Sequence, residues 1–363
     1  MKRNATSTRG SRGSAPRKSR QYAAKPGASP ARSDGLPRAV VVLGMHRSGT
    51  SALTRVISLL GADSPKNLMQ PNPDNEAGYW ESADLVVIHD EMLSSAGTYW
   101  HDWRAFNPDW YDSPIAPVFR RRILDVLRND YGNSQLFVVK DPRICRFWPF
   151  WREVLDEFGA KPGVVLPVRN PLEVAASLRR RDGFVSAKSC LLWLRHVIDA
   201  EKATRDLPRA VVTYDALLAD WQGVVATLGA GLGVSWPRRG ALVELEIERV
   251  LATQLRHHSI APEQLAAKGE VVDWVRDAYA GLVQMSVTPE HKASMARLDR
   301  IRAEFEKAST AFGLALAGAE AELAIREAET VQLRAENRAL QQRIADLSDE
   351  QWPLSADADV AAK

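Results

Sequence analysis

Val40-Val41-Val42-Leu43-Gly44-Met45-His46-Arg47-Ser48-Gly49-Thr50-Ser51 decides the fold. An apolar run of strand length ends at Gly44, and residues with helical periodicity follow the polar turn. This is the layout of a phosphate-binding loop, in which backbone N–H groups and a helix N-terminus hold anionic oxygens. Against the triphosphatase pattern G-x-x-x-x-G-K-[ST], the loop reads G-x-x-x-x-G-T-S. Thr50 stands where the phosphate-reaching Lys belongs, and the cation has moved inside the loop, to Arg47. A loop of this kind suits a phosphate better than a triphosphate held with Mg²⁺.

Outward from this loop, short Val-rich runs at 39–43, 135–139, 163–168 and 209–213 read as strands. Helical patterns fall near 50–61, 114–129, 147–158, 171–182, 187–205 and 240–252. The alternation predicts an α/β fold, a P-loop-type parallel sheet flanked by helices, with a C-terminal helix or coiled coil. Ligands in such folds sit at the carboxyl ends of strands. The ends to inspect are therefore Gly44–Ser51, Lys140–Arg143, Arg169–Asn170 and Tyr214–Asp215. Two connections are long: an aromatic-rich one around 79–111, read as a lid or binding loop, and an irregular one at 255–287.

The expected organisation is a basic tail at 1–36, a P-loop domain at 37–255, a connection with helices at 256–315, a candidate coiled coil at 316–350 and a tail at 351–363. The first tail carries nine Lys/Arg against Asp34, a net +8. With +3 for the whole chain, about −5 remains on the other residues. Its Ser, Gly, Pro and Ala content predicts a solvated extension, so a nucleic-acid partner is not expected. Cys145 and Cys190 make neither a disulfide framework nor a metal cluster, which points to a reducing, cytoplasmic compartment. No apolar run reads as a transmembrane segment or signal peptide.

At 316–347, Leu316, Leu323, Thr330, Asn337 and Ile344 fall at one heptad position. Ala319, Arg326, Leu333, Leu340 and Leu347 fall at the other. Asn337 among leucines is the arrangement that selects a parallel two-stranded coil, so a homodimer through 316–350 is one expectation. A single amphipathic helix packed on the body is the other.

Two further strand ends carry chemistry. Lys140-Asp141-Pro142-Arg143 places a Lys at the end of a buried strand, beside the loop if the strands are neighbours. Val168-Arg169-Asn170-Pro171 sets Asn170 as an N-cap and Pro171 in the first helical turn, with Ser177 eight residues after Arg169.

Taken in order, the loop 44–51, Lys140-Asp141-Pro142 and the Arg169/Ser177 pair resemble the cofactor motifs of the sulfotransferases that use 3′-phosphoadenosine-5′-phosphosulfate (PAPS). The bacterial branch related to tyrosylprotein and carbohydrate sulfotransferases, with Arg for the usual loop Lys, is the nearest pattern. The resemblance spans about residues 38–235. It implies that Gly44, Arg47, Ser48, Gly49, Thr50 and Ser51 bind the 5′-phosphosulfate, that Arg169 and Ser177 bind the 3′-phosphate, and that Lys140 meets the bridging oxygen. No metal is expected.

The acceptor would be a hydroxyl of a glycan, glycolipid or other small molecule. Glu81, in Gly78-Tyr79-Trp80-Glu81, is the expected base, with Glu76 and His46 as alternatives. The family's C-terminal Arg-Lys-Gly loop is absent, and Arg180, Arg181 or Arg256-His257-His258 would have to replace it. The rival readings are a P-loop small-molecule kinase using ATP and Mg²⁺, and a non-catalytic coiled-coil scaffold.

Overall fold

A computed structural model of the chain describes residues 35–71, 75, 78–253 and 272–351. Most of the basic tail, Glu76, Arg256-His257-His258 and the tail after 351 lie outside the described residues. Four parallel strands form one sheet: β1 (Arg38–Val42), β2 (Leu136–Lys140), β3 (Lys161–Val168) and β4 (Arg209–Thr213), in the order β2-β1-β3-β4. Val42 lies opposite Lys140 on one side and Val165 on the other, so β1 delivers its loop between the ends of β2 and β3.

Helices cover both faces. Val40 and Val42 point into a core with α1 (Thr50–Leu59), α8 (Trp221–Leu232) and α9 (Ala241–Thr253). The short α7 (Tyr214–Ala219) adds Tyr214 and Leu217 to it. Ala39 and Val41 point into a larger core, built with α2 (Ala83–Ser95), α3 (Ala116–Tyr131), α4 (Trp148–Phe158), α5 (Pro171–Asp182) and α6 (Ser186–Ala203). Helix α10 (Asp273–Val287) and the start of α11 (Lys292–Gln351) close that face. The period-2 alternation of a strand buried on both faces assigns each Val to its core.

Three readings change. The aromatic-rich connection contains α2, capped by Ser82, whose side chain accepts from the Leu85 N–H. Its Trp103, Phe106 and Trp110 are buried in the larger core, so most of that aromatic surface packs and does not form a lid. Part of the second connection, 273–287, is helix α10, with Val275, Ala278, Leu282 and Met285 buried at helical spacing. Helix α11 also contains a stretch long and apolar enough by composition to cross a membrane. Ala, Gly and Leu make it so, with Glu320 and Glu322 interrupting any continuous apolar run.

Candidate active-site cleft

The loop after β1 is shaped by close approach. A Cβ on Gly44 would lie 2.9 Å from Pro167 Cγ and 3.1 Å from the Pro167 carbonyl oxygen, so β3 leaves no room for a side chain there. Gly49 is the N-cap of α1 at φ +83°, and a Cβ on it would meet the Tyr214 ring at 2.3 Å. With no side-chain cap at Gly49, the first N–H groups of α1 are open to an anionic ligand. Arg47 itself sits at φ +68°, a conformation that is costly for a residue with a Cβ and recurs at functional loops.

Arg47 is held from two directions. Its Nε donates to Ser177 Oγ on α5 at 2.8 Å, and its carbonyl accepts from Arg169 Nη1 at 3.2 Å. Arg169 also pairs with Glu173 at 2.8 Å and lies over the Tyr214 ring, 4.8 Å from its centroid. The eight-residue spacing therefore brings Arg169 and Ser177 together through Arg47.

On the other flank, Lys140 is almost fully buried. Its Nζ donates to Ser51 Oγ at 3.3 Å, to the Tyr79 carbonyl at 3.0 Å and to Glu81 Oε1. Ser51 Oγ also donates to the Tyr79 carbonyl. Gly78 (φ +84°) and Trp80 (φ +58°) are both left-handed, and between them that carbonyl meets the Lys. Burial raises the pKa of Glu81 above the ordinary carboxylate range, with Lys140 opposing the shift.

Beneath them, Arg143 binds Asp141 at 3.0 Å and Asp90 at 2.6 Å, and stands 3.7 Å from Glu81. Burial alone would raise Asp141, but Arg143 and His89 outweigh it and hold the carboxyl far below its usual range. Trp151 Nε1 donates to His89 Nε2 at 3.0 Å, so the ring proton is on Nδ1 and is donated to Asp141 at 2.8 Å.

His46, Arg47, Gly49, Thr50, Ser51, Glu81, Lys140 and Arg169 line one cleft. Gly44 and Ser48 do not. Gly44 is packed on Pro167, and Ser48 Oγ is buried without a hydrogen-bond partner. Ser177 acts on the cleft through Arg47. His46 Nε2 is likewise buried without a partner, and its ring lies 4.6 Å from that of Trp100. Burial, followed by the nearby Arg181, Arg143, His196 and Lys140, holds His46 well below the usual histidine pKa, so its imidazole is neutral.

The structure adds Asn75, Tyr79, Arg181 and Tyr214 to the lining. Arg181 is one of the sequence candidates for completing an anion site, whereas Arg180 is exposed and absent from the lining. Tyr214 stands at a strand end the topology marks for inspection. Tyr79 contributes its backbone carbonyl, which no reading of side-chain type detects.

Fold and cleft together define an α/β protein, a parallel four-stranded sheet flanked by helices, with a cleft at the strand ends lined by Arg47, Lys140, Arg169 and Arg181. No protein-family model matches the chain, and no curated protein matches it. The chain is similar to solved sulfotransferase structures. Sulfotransferase STF1 of Mycobacterium tuberculosis aligns at 20% identity over 68% of this chain and 77% of that one, with a TM-score of 0.37. The sulfotransferase domain of the Synechococcus PCC 7002 olefin synthase aligns at 18% identity over 72% and 98%, with a TM-score of 0.34. The sulfotransferase domain of the curacin biosynthetic pathway aligns at 15% over 74% and 98%, with a TM-score of 0.35.

Proposed function

We propose that this protein transfers a sulfuryl group from PAPS to a hydroxyl of a glycan, glycolipid or other small acceptor. The observation that carries the reading is the convergence of Arg47, Lys140, Arg169 and the open N-terminus of α1 on one cleft beside a buried carboxylate. In sulfuryl transfer the bond between sulfur and the bridging phosphate oxygen breaks as the acceptor oxygen bonds to sulfur. Negative charge builds on the leaving phosphate, and fixed donors aimed at it supply the stabilisation.

Arg47 and the α1 N–H groups would hold the 5′-phosphosulfate, and Lys140 would donate to the bridging oxygen. Arg169 and Ser177 would fix the 3′-phosphate end. Glu81 would take the acceptor proton, its pKa raised by burial in the direction that makes a carboxylate a stronger base. Neutral His46, on the Trp100 side of the cleft, is the alternative base.

Calorimetric titration with adenosine 3′,5′-bisphosphate, set against ADP and ATP with and without Mg²⁺, tests the donor. Metal-independent binding that requires the 3′-phosphate and weakens in Arg169→Ala supports the reading. Preference for ATP with Mg²⁺ would make the protein a kinase, and no binding would favour the scaffold.

A further inference from the structure

Helix α11 changes its surroundings halfway along. Leu298, Ile301 and Phe305 are buried against the body, and Glu306 and Asp299 fasten the same stretch to Arg195 (2.5 Å) and Arg205 (2.8 Å). Past Ser309 the support thins to Gly313, buried beside Arg104, and a Lys188–Glu320 ion pair at 2.8 Å, while the helix continues to Gln351, ~60 Å beyond Ser309 at 1.5 Å per residue. Along that length Leu316, Leu323, Leu333, Leu340, Ile344 and Leu347 are 49–67% exposed. An isolated helix keeps its form in water mainly when an apolar face is covered.

We infer that the exposed stripe of α11 is covered by the same stripe of a second copy, as a parallel two-stranded coiled coil centred on residues 330–347. Three observations on the chain select this occupant. First, the seven-residue seam continues the row of Leu298 and Phe305, so the helix buries one row first in its own body and then in a partner. On a straight α-helix a heptad falls ~20° short of two turns. The seam at 333–347 therefore faces ~80–120° away from Phe305, and a partner helix there clears the body.

Second, Asn337 lies between Leu333 and Leu340, and in a parallel pair it meets its own counterpart across the seam, which fixes register. Third, Glu329 and Arg334 flank the seam at the positions that face each other across a parallel pair, giving two Glu329–Arg334 ion pairs by symmetry. Nearer the body, Glu322 and Glu327 would oppose one another, and Arg326 already binds Glu322 within the helix. The pairing thus begins past Arg326. This inference is independent of the proposed reaction.

Sedimentation of the full-length protein at tens of micromolar, together with disulfide cross-linking of the Leu340→Cys variant under oxidation, tests it. Cys145 and Cys190 are buried, so the introduced exposed thiol reads out without background. The expected results are twice the 40.2 kDa chain mass, a cross-linked dimer for Leu340→Cys, and a monomer for Leu333→Asp/Leu340→Asp that keeps the cooperative melt of the body while losing part of its helical circular dichroism. A wild-type monomer would overturn the inference, as would a dimer that survives the double substitution or a Leu340→Cys variant that does not cross-link. A monomer that co-floats with phosphatidylcholine/phosphatidylglycerol vesicles would overturn it too and assign the stripe to lipid.

Discussion

Arg47 and Ser177, 130 residues apart, are joined by a 2.8 Å hydrogen bond that fixes the loop's cation to α5, about two turns in. Arg47 carries a left-handed backbone whose carbonyl accepts from Arg169, while the Ser177 bond holds its guanidinium. Ser177→Ala removes the anchor without touching the core. A hydrogen bond to a charged group contributes about 1.5–3 kcal/mol. Affinity for adenosine 3′,5′-bisphosphate should therefore fall by roughly tenfold or more, as read by calorimetry, with the melting temperature nearly unchanged.

Glu81→Gln keeps a hydrogen-bond acceptor for Lys140 and removes the base. On the proposed reaction, turnover should fall about 10²-fold or more while bisphosphate affinity holds within a few-fold. Loss of turnover and affinity together would move the base elsewhere. Glu81→Ala should differ in kind. It strands a buried ammonium, and breaking a buried pair costs about 3–5 kcal/mol, visible as a lower melting temperature.

Gly49→Ala should abolish nucleotide binding. The new Cβ would overlap the Tyr214 ring, and φ +83° is unfavourable for alanine in any case. Adding Tyr214→Ala would relieve the overlap and leave the backbone cost, so the double variant should recover stability in part. Thermal melts of the two variants separate these contributions.

Stability should fall as pH drops below about 6.5, the ordinary histidine value. Burial lowers the pKa of His46 well below normal and that of His196 to about 3, so the unfolded chain takes up protons in this range that the folded one refuses. Each such group costs about 1.4 kcal/mol per pH unit between its unfolded and folded pKa. Their stabilisation is complete above the unfolded value and is lost progressively toward acid. Glu81 has the opposite sign. Its raised pKa lets the folded state bind a proton first, offsetting part of the loss at the lower end. Urea denaturation from pH 7.5 to 5 should show the slope, and His46→Asn should reduce it.

The parallel sheet is legible in the sequence because its strands are runs of Val with few alternatives, and the loop because Gly44 and Gly49 sit where close approach, to Pro167 and to the Tyr214 ring, leaves no room for a Cβ. Lys140 falls beside the loop only if β1 and β2 are neighbours, and the β2-β1-β3-β4 order makes them so. Helix α2 is not legible. Its Val86-Val87-Ile88 segment is β-branched and interrupts the helical signal, while Ser82, the cap that marks its start, is hidden in an aromatic stretch. Helix α7 is too short, at six residues, for its period to show, and α8 is diluted by Gly223, Gly229 and Gly231, although Thr213 and Asp220 cap them plainly. Within the cleft, side-chain chemistry nominates Arg47, Lys140 and Glu81. It does not show that Lys140 and Glu81 hold each other, or that a Tyr79 carbonyl completes the cluster.

An ammonium has three N–H bonds, and Lys140 directs its own at Ser51, the Tyr79 carbonyl and Glu81. A further acceptor must displace one of these. On the proposed reaction, a donor oxygen that draws the ammonium away from Glu81 also strips that carboxylate of its nearest cation, in a buried setting that already favours protonation. Seating the donor would then raise the affinity of the ionised Glu81 for the acceptor's proton. Catalysis would have a compulsory sequence, donor before acceptor, enforced by one lysine with no spare proton.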